Sequence, residues 1–548
     1  MDQLAACVEA TDQHMLAPAL VVKGEDTVIV KNHPHGYQFE RTELVTLKDV
    51  WELHGMPVEQ KDLCFSFSLF KLLRCQFARY RVFNPRLREV VQMFFREKYF
   101  KEDNNYERLF QVVADELSFI QDYYNSFLPI SYSHQLFPVM NIILSLLSMC
   151  YCSYLFVFVS GATKGAQQLY GLIYCILFCG KGSNGGRAAS TVHVSPVYFD
   201  LVPAYSVITV LMLSEIRDIA VYFCSNWTKV AFISNYTKYP PSWQKSLLVK
   251  KCIGFVFKCC KCRLTKKWAA TLNQCSLPVG RQNKKDQCSI FGPIVQLLRL
   301  PNRKKIDLTN EVKFSIFKAL EEHFSKKQAL EEQLSKPRVL KHIGRPSIHG
   351  FNDWINDADA KHIADIVLAW HIAPNIFEDQ TSGALISPAR TSATQLSRYC
   401  AYLVDCHPEL LPGENDEWCK SPFEAVKKYA EQECESLFNS VMEFVDRIIP
   451  GQSESKLLQK EYSKKIMEKG EKIAEKLATK TNGWEILEDF WSNMILYLAT
   501  SENLDGHAKA IARGGELITL LWALLVHLGI VGSRLDGADD ATSADHPC

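Results

Sequence analysis

The chain has 548 residues, 22% of them charged, and a formal net charge of +1. So even a balance argues for no partner chosen by charge, and gives no sign of nucleic-acid binding. The 19 cysteines are scattered without regular spacing, which excludes a dense disulfide framework and, in a cytosolic setting, predicts free thiols.

Residues 1–130 read as a mixed, mostly helical cytosolic region. No signal peptide is predicted, because the first residues lack a continuous apolar core behind a basic start. A β-like stretch covers Ala19 to Val30, and helical character begins after Leu47. From Lys61 to Arg81, KDLCFSFSLFKLLRCQFARYR places Leu63, Phe67, Phe70 and Phe77 at near-helical spacing beside Lys71, Arg74 and Arg79. This predicts an amphipathic helix that either packs its aromatic face into a domain or docks on a membrane surface. A second helix is predicted from Tyr106 to Tyr123, with Leu109, Val112, Val113, Leu117 and Ile120 as its buried stripe.

Residues 131–218 read as a membrane hairpin. Leu136 to Val159 carries no charge, and a hydrocarbon core of about 30 Å needs roughly 20 apolar residues at the helical rise. A second span is predicted at 195–216, with Asp200 and Glu215 near the two interfaces, since a carboxylate at mid-bilayer costs about 3 kcal/mol. Residues 168–178 are apolar but short, which suits a re-entrant piece and leaves a third crossing open. Ile219 through Lys285 contains no Asp or Glu while lysines accumulate. Positive flanks stay inside, so both termini are expected in the cytosol and the protein is expected to be multi-pass. The sequons at Asn226 and Asn235 would then escape glycosylation.

Residues 219–310 form a basic, cysteine-bearing connector. Lys250, Lys251, Lys258, Lys261, Arg263, Lys266 and Lys267 make a candidate cluster for anionic lipid. Cys259, Cys260 and Cys262 among them are candidate acylation sites. Cys259 and Cys262 also have the spacing of a zinc half-site, but Cys275 and Cys288 supply no second close pair.

Residues 311–535 are predicted to be helical throughout. The motif Ala319-Leu320-Glu321-Glu322 recurs at Ala329-Leu330-Glu331-Glu332, a local duplication without a heptad period. Further helices are expected at 357–372, 394–404, 422–448, 455–479 and 483–500. The apolar stretch 517–531 is too short for a span and contains His527. Gly514-Gly515 ahead of it predicts a helix end and a sharp reversal. That hairpin either closes the domain or offers a partner groove built on Trp522, Leu525 and His527. The tail 536–548 is expected to be disordered.

Motifs for chemistry are weak. Gly180-Lys181-Gly182-Ser183-Asn184-Gly185 fits a dinucleotide fingerprint, but Pro196 and the flanking apolar segments deny it a βαβ context. No P-loop, H-E-x-x-H or G-x-S-x-G occurs. His362, His371, His507 and His527 lack metal-ligand spacing and read as core or cap histidines. No cofactor and no small-molecule substrate is therefore expected.

Several segments together resemble a plant family that pairs domain of unknown function 4220 with a C-terminal domain of unknown function 594. KDLCFSFSLFKLLRCQF from Lys61 and VVADELSFIQDYY from Val112 look like the first domain. ADIVLAWHIA from Ala364, LSRYCAYLVDCHPELLP from Leu396 and WEILEDFWSNMILYLA from Trp484 continue the match. HAKAIARGGELITLLWALLVHLGI from His507 resembles the C-terminal domain, placed at about 484–531. Family members typically open with several further membrane helices, so a shortened member or a lost beginning is expected here. The resemblance implies a plant membrane protein and brings no activity, catalytic residue or cofactor.

The resulting expectation is a mainly α, membrane-anchored helical protein with two or three transmembrane helices and a C-terminal helical domain. It would act as a scaffold or interaction protein without catalytic activity, contacting lipid and a protein partner. A transporter-like or channel-like protein lacking its first spans, with Asp200 and Glu215 as intramembrane carboxylates, is the alternative. A membrane-bound enzyme with a cryptic site is the third.

Overall fold

The computed structural model describes residues 17–162 with short gaps, 196–238, 271–275, 304–334, 362–380, 387–412, part of 423–429, and 453–531. The chain is mainly helical and divides into two units. One unit is discontinuous, combining Met1–Gln121 with Lys267–Cys548; the other is Asp122–Lys266. Within the discontinuous unit, the N- and C-terminal portions share a core.

The discontinuous unit begins with strand β1 (Val21–Lys23), which pairs antiparallel with β4 (Val45–Thr46). Between them, β2 (Val28–His33) and β3 (Gly36–Arg41) form an antiparallel hairpin from Val28↔Arg41 to His33↔Gly36. Thr46 then caps α1 (Leu47–Glu52): its Oγ1 accepts the Asp49 N–H at 3.4 Å, and its own N–H donates to Asp49 Oδ2 at 2.7 Å. These two bonds satisfy donors the first helical turn leaves over.

Helix α2 (Val58–Phe77) is buried along most of its length, on every side. Its aromatic face packs inward: Phe67 and Phe70 meet Phe119 at 5.0 and 6.0 Å. Lys71, placed by sequence on the polar side, is itself buried and donates to the Val22 carbonyl at 2.8 Å. Of the two alternatives for this segment, the domain-core arrangement is the one present. Asp62 accepts the Tyr99 hydroxyl at 2.8 Å and both arms of Arg108 at 3.0 Å, so the buried carboxylate is paired. Helix α3 (Pro85–Tyr99), which the sequence reading did not anticipate, supplies Phe94 and Phe95 against Phe65. Helix α4 (Tyr106–Asn125) buries the stripe expected of it, with Phe110 and Phe119 added.

Part of the expected connector belongs to this unit: β5 (Thr271–Gln274) pairs antiparallel with β6 (Lys304–Asp307). Both copies of the Ala-Leu-Glu-Glu motif lie on one helix, α9 (Asn310–Leu334). Helices α10 (Ile363–Gln380), α11 (Pro388–Cys406), α12 (Ser453–Ala478) and α13 (Gly483–Leu498) follow. Ser387 starts α11 by accepting the Arg390 N–H at 3.1 Å, with Pro388 in the first turn. Trp370 of α10 stacks on Phe490 of α13 at 3.7 Å. Gly470 lets α12 lie close against α10, since a Cβ there would stand 2.6 Å from the Ile372 Cβ. Helix α14 (Leu504–Ala512) ends at Gly514 and Gly515, with φ of +99° and +96°, and α15 (Leu517–His527) follows the reversal. Positive φ at consecutive residues is the reason for the paired glycines. The helix predicted at 422–448 falls largely, and the tail entirely, outside the described residues.

The second unit contains α5 (Leu128–Ser133), α6 (Phe137–Ala162), α7 (Pro196–Cys224) and α8 (Asn226–Lys238). Helices α6 and α7 run antiparallel, tied by the Asn141 amide donating to the Tyr222 hydroxyl at 3.1 Å and by a Phe156–Tyr205 edge contact at 5.1 Å. Their outer faces expose Leu144, Leu147, Tyr154 and Val157 on α6 and Val207, Val210 and Leu213 on α7. Within α6, Met140–Phe158 is long and apolar enough to cross a membrane by length and composition, and among the described residues it is the one such stretch. Helix α7 is longer than the span expected at 195–216; it contains Pro203 and carries Glu215, Arg217 and Asp218. Residues 168–178 and 180–185 lie outside the described residues.

Candidate functional site

Among the described residues, the densest meeting of polar and titratable side chains lies at the head of α15. Tyr399 and Tyr402 stand three apart on α11 and therefore share a face. The chain leaves α11 through a short 3₁₀ turn, Pro408–Leu410, which holds His407 and Glu409 beside them. The Gly514-Gly515 reversal returns Arg513 and Glu516 to the same place, and β5 contributes Asn273 from its edge.

Glu516 is the centre. Its Oε1 accepts from Tyr402 Oη at 3.0 Å and from Asn273 Nδ2 at 3.2 Å, and its Oε2 accepts from Tyr399 Oη at 3.1 Å. Tyr399 Oη in turn accepts the Ile518 N–H, one of the donors left over at the start of α15, at 3.1 Å. The carboxylate thus sits at a helix N-terminus with the tyrosine between, where negative charge is favoured. Burial first, then the Glu516 charge, hold the Tyr399 hydroxyl well above the usual phenol range. His407 connects outward, with Nε2 3.0 Å from Tyr402 Oη and Nδ1 3.0 Å from Glu409 Oε1.

Every oxygen of Glu516 is engaged, so the arrangement suits a load of hydrogen bonds better than nucleophilic or acid–base chemistry. Among the described residues no group of three or more His, Cys, Asp or Glu is disposed to hold a metal ion.

A second polar pair is entirely interior: His527 Nε2 and Glu116 Oε1 are 2.6 Å apart, with both side chains fully buried. Burial raises the Glu116 carboxyl above its ordinary 4.5, and His527 offsets part of that. Trp522 lies 5.5 Å from the Phe77 ring and 4.4 Å from His507. Trp522, Leu525 and His527 are all buried. The groove built on them is therefore core, because α2, α3 and α4 pack against Trp522 and His527. His371 and His507 are core histidines too, bonded to Ser397 at 2.8 Å and Thr519 at 3.2 Å.

Glu215 is half-buried on α7. The side chain of Asp200, the thiols Cys259, Cys260 and Cys262, and the basic cluster Lys250, Lys251, Lys258, Lys261, Arg263, Lys266 and Lys267 lie outside the described residues. The Glu516 cluster escaped sequence reading. Its local traces were the two tyrosines three apart and a glutamate directly after paired glycines, and nothing local linked either to Asn273.

The chain matches the domain of unknown function DUF4220 over residues 14–278 and the protein family of unknown function DUF594 over residues 476–530. No curated protein and no solved structure matches it. Asn273 falls in the first matched region, Arg513 and Glu516 in the second, and the tyrosines and His407 between. The chain thus joins a DUF4220 region to a C-terminal DUF594 domain.

Proposed function

We propose that this is a plant integral membrane protein that acts as a membrane-anchored helical scaffold or protein-interaction protein without catalytic activity. The observation that carries the reading is the largely apolar exterior of α6, where Leu144, Leu147, Tyr151, Tyr154, Val157 and Phe158 all face outward. Apolar surface in water costs about 25 cal/mol per Å², and a hydrocarbon phase removes that cost over the same length as Met140–Phe158. The antiparallel α7, held by the Asn141–Tyr222 bond, supports a hairpin with its second crossing at 195–216. The basic run after α7 supports cytosolic placement of both termini. The plant source rests on the segments that resemble the plant family. Within this reading Cys259, Cys260 and Cys262 are acylated and the neighbouring lysines meet anionic lipid, which rests on their sequence adjacency alone.

Alkaline carbonate extraction of membranes tests the anchor and should leave the full chain in the pellet. Protease added to intact right-side-out vesicles tests the hairpin and should spare tags at both ends. Release into the supernatant overturns the anchor; digestion of one tag overturns the two-crossing topology.

A further inference from the structure

The hairpin of α6 and α7 carries charge at a depth that its own two helices do not cover. The Asn141–Tyr222 bond and the Phe156–Tyr205 ring contact fix the antiparallel register, so α7 runs back as α6 runs forward. The apolar stretch Met140–Phe158 therefore lies against the part of α7 between Tyr205 and Tyr222. That part takes in Arg217 and Asp218, which a crossing at 195–216 leaves outside. Counted from the Asn141–Tyr222 bond, Arg217 and Asp218 are level with Leu146 and Ser145. At the helical rise this is roughly 8 Å inside the Met140 end of the stretch.

Two stripes run along α7. Tyr205, Ile208, Met212, Glu215, Ile219 and Tyr222 recur at helical spacing, buried or half-buried, on the face that Tyr205 and Tyr222 turn to α6. Ser206, Val210, Leu213 and Arg217 recur in the same way on the opposite face, where all are exposed and Asp218 stands beside them. Arg217 is 75% exposed and Asp218 48%. Nε and Nη2 of Arg217 both donate to Asp218 Oδ1, at 3.3 and 3.2 Å, which cancels the net charge but covers neither group. In hydrocarbon an uncovered charge is costly, and such groups turn toward protein or a water-filled space. Arg217 is long enough to bend its guanidinium toward the interface; Asp218, with one methylene, is not.

We propose that this outer face of α7 is an interface with a second copy of the chain, an inference that rests on the membrane reading. Charges of both signs in adjacent positions are self-complementary. About a two-fold axis along the membrane normal, the two α7 helices run parallel at equal depth, so Arg217 of each copy meets Asp218 of the other. Val210 and Leu213 continue the contact toward the middle of the layer, while Glu215 stays on the α6 side. A partner of one charge sign, or an anionic lipid headgroup, would answer one residue of the pair and oppose the other.

The test co-expresses two differently tagged full-length chains in membranes and measures how much of one is recovered with the other in mild detergent. Wild-type chains should be recovered together. Arg217→Asp chains should lose this self-association by about tenfold or more, and so should Asp218→Arg chains, because each sets like charges against each other. Pairing Arg217→Asp on one tag with Asp218→Arg on the other should restore recovery, which only contact between chains can produce. Wild-type chains that do not associate, or a mixed pair that is not restored, overturn the interface. Carbonate extraction separates this from the anchor: chains that stay in the pellet without associating reject the interface alone, whereas release to the supernatant rejects the membrane reading and the interface with it. If the charge-reversed chains do not insert, Arg217→Leu combined with Asp218→Leu decides: loss of recovery supports the interface, and unchanged recovery overturns it.

Discussion

A histidine's surroundings decide which of its protonation states belongs to the fold, and His371 is held as the neutral ring. His371 is almost fully buried, bonded through Nδ1 to Ser397 at 2.8 Å. Burial, and then the charge of Arg398, lower it from 6.5 to about 3. With the folded value below the unfolded one, the neutral form belongs to the fold. Its contribution is complete above 6.5 and is lost as pH falls toward 3. His371→Asn keeps an amide near the position of Nδ1 but cannot charge. Wild type should therefore lose stability relative to His371→Asn in denaturant unfolding as pH is lowered from about 6.5 to about 4. A gap that stays constant with pH would reject burial of a neutral imidazole as the cause.

At the scale of elements, α15 shows what an apolar stretch too short to span a membrane is for. All of Leu517–His527 is buried. Trp522 fills the space between Phe77 of α2 and His507 of α14. Truncating a buried aromatic costs about 3 to 5 kcal/mol, combining lost transfer energy with a residual cavity. Trp522→Ala should lower the denaturant midpoint of the full chain by a corresponding amount, without change in slope. An unchanged midpoint together with loss of a binding partner would move Trp522 from core to recognition surface. The same residues illustrate the limit of periodicity: α2 reads as amphipathic, yet Lys71 is interior because the Val22 carbonyl lies within its reach.

At the scale of the molecule, the DUF594 domain completes a core that the DUF4220 region leaves open. Among the described residues, contacts that span more than 400 residues of sequence include Phe77 with Trp522, Phe95 with His527, Glu116 with His527, and the Gln92 amide with the Leu528 carbonyl at 2.6 Å. Removing residues 515–548 should uncover Phe77, Phe95 and Glu116, and leave the Glu116 carboxyl without its histidine. Limited proteolysis of that truncated chain should show new cleavage within residues 58–121, at sites protected in the full chain. Protection that persists would mean that the DUF4220 helices close their core without the C-terminal domain.

The sequence by itself determined what is local. The 3.6-residue apolar pattern located α4, α10, α11, α12, α13 and α15, because helices are set by neighbours three and four positions away. The uncharged run marked α6, the paired glycines marked the reversal before α15, and the ordered segments marked the family. Only the tertiary structure decided that β5 leaves the connector to pair with β6, that α2 is enclosed on all sides, and that Asn273, Tyr399, Tyr402, His407 and Glu516 converge. Those features depend on burial and hydrogen bonds between residues far apart in the chain, and no window along the chain contains both partners of such a contact.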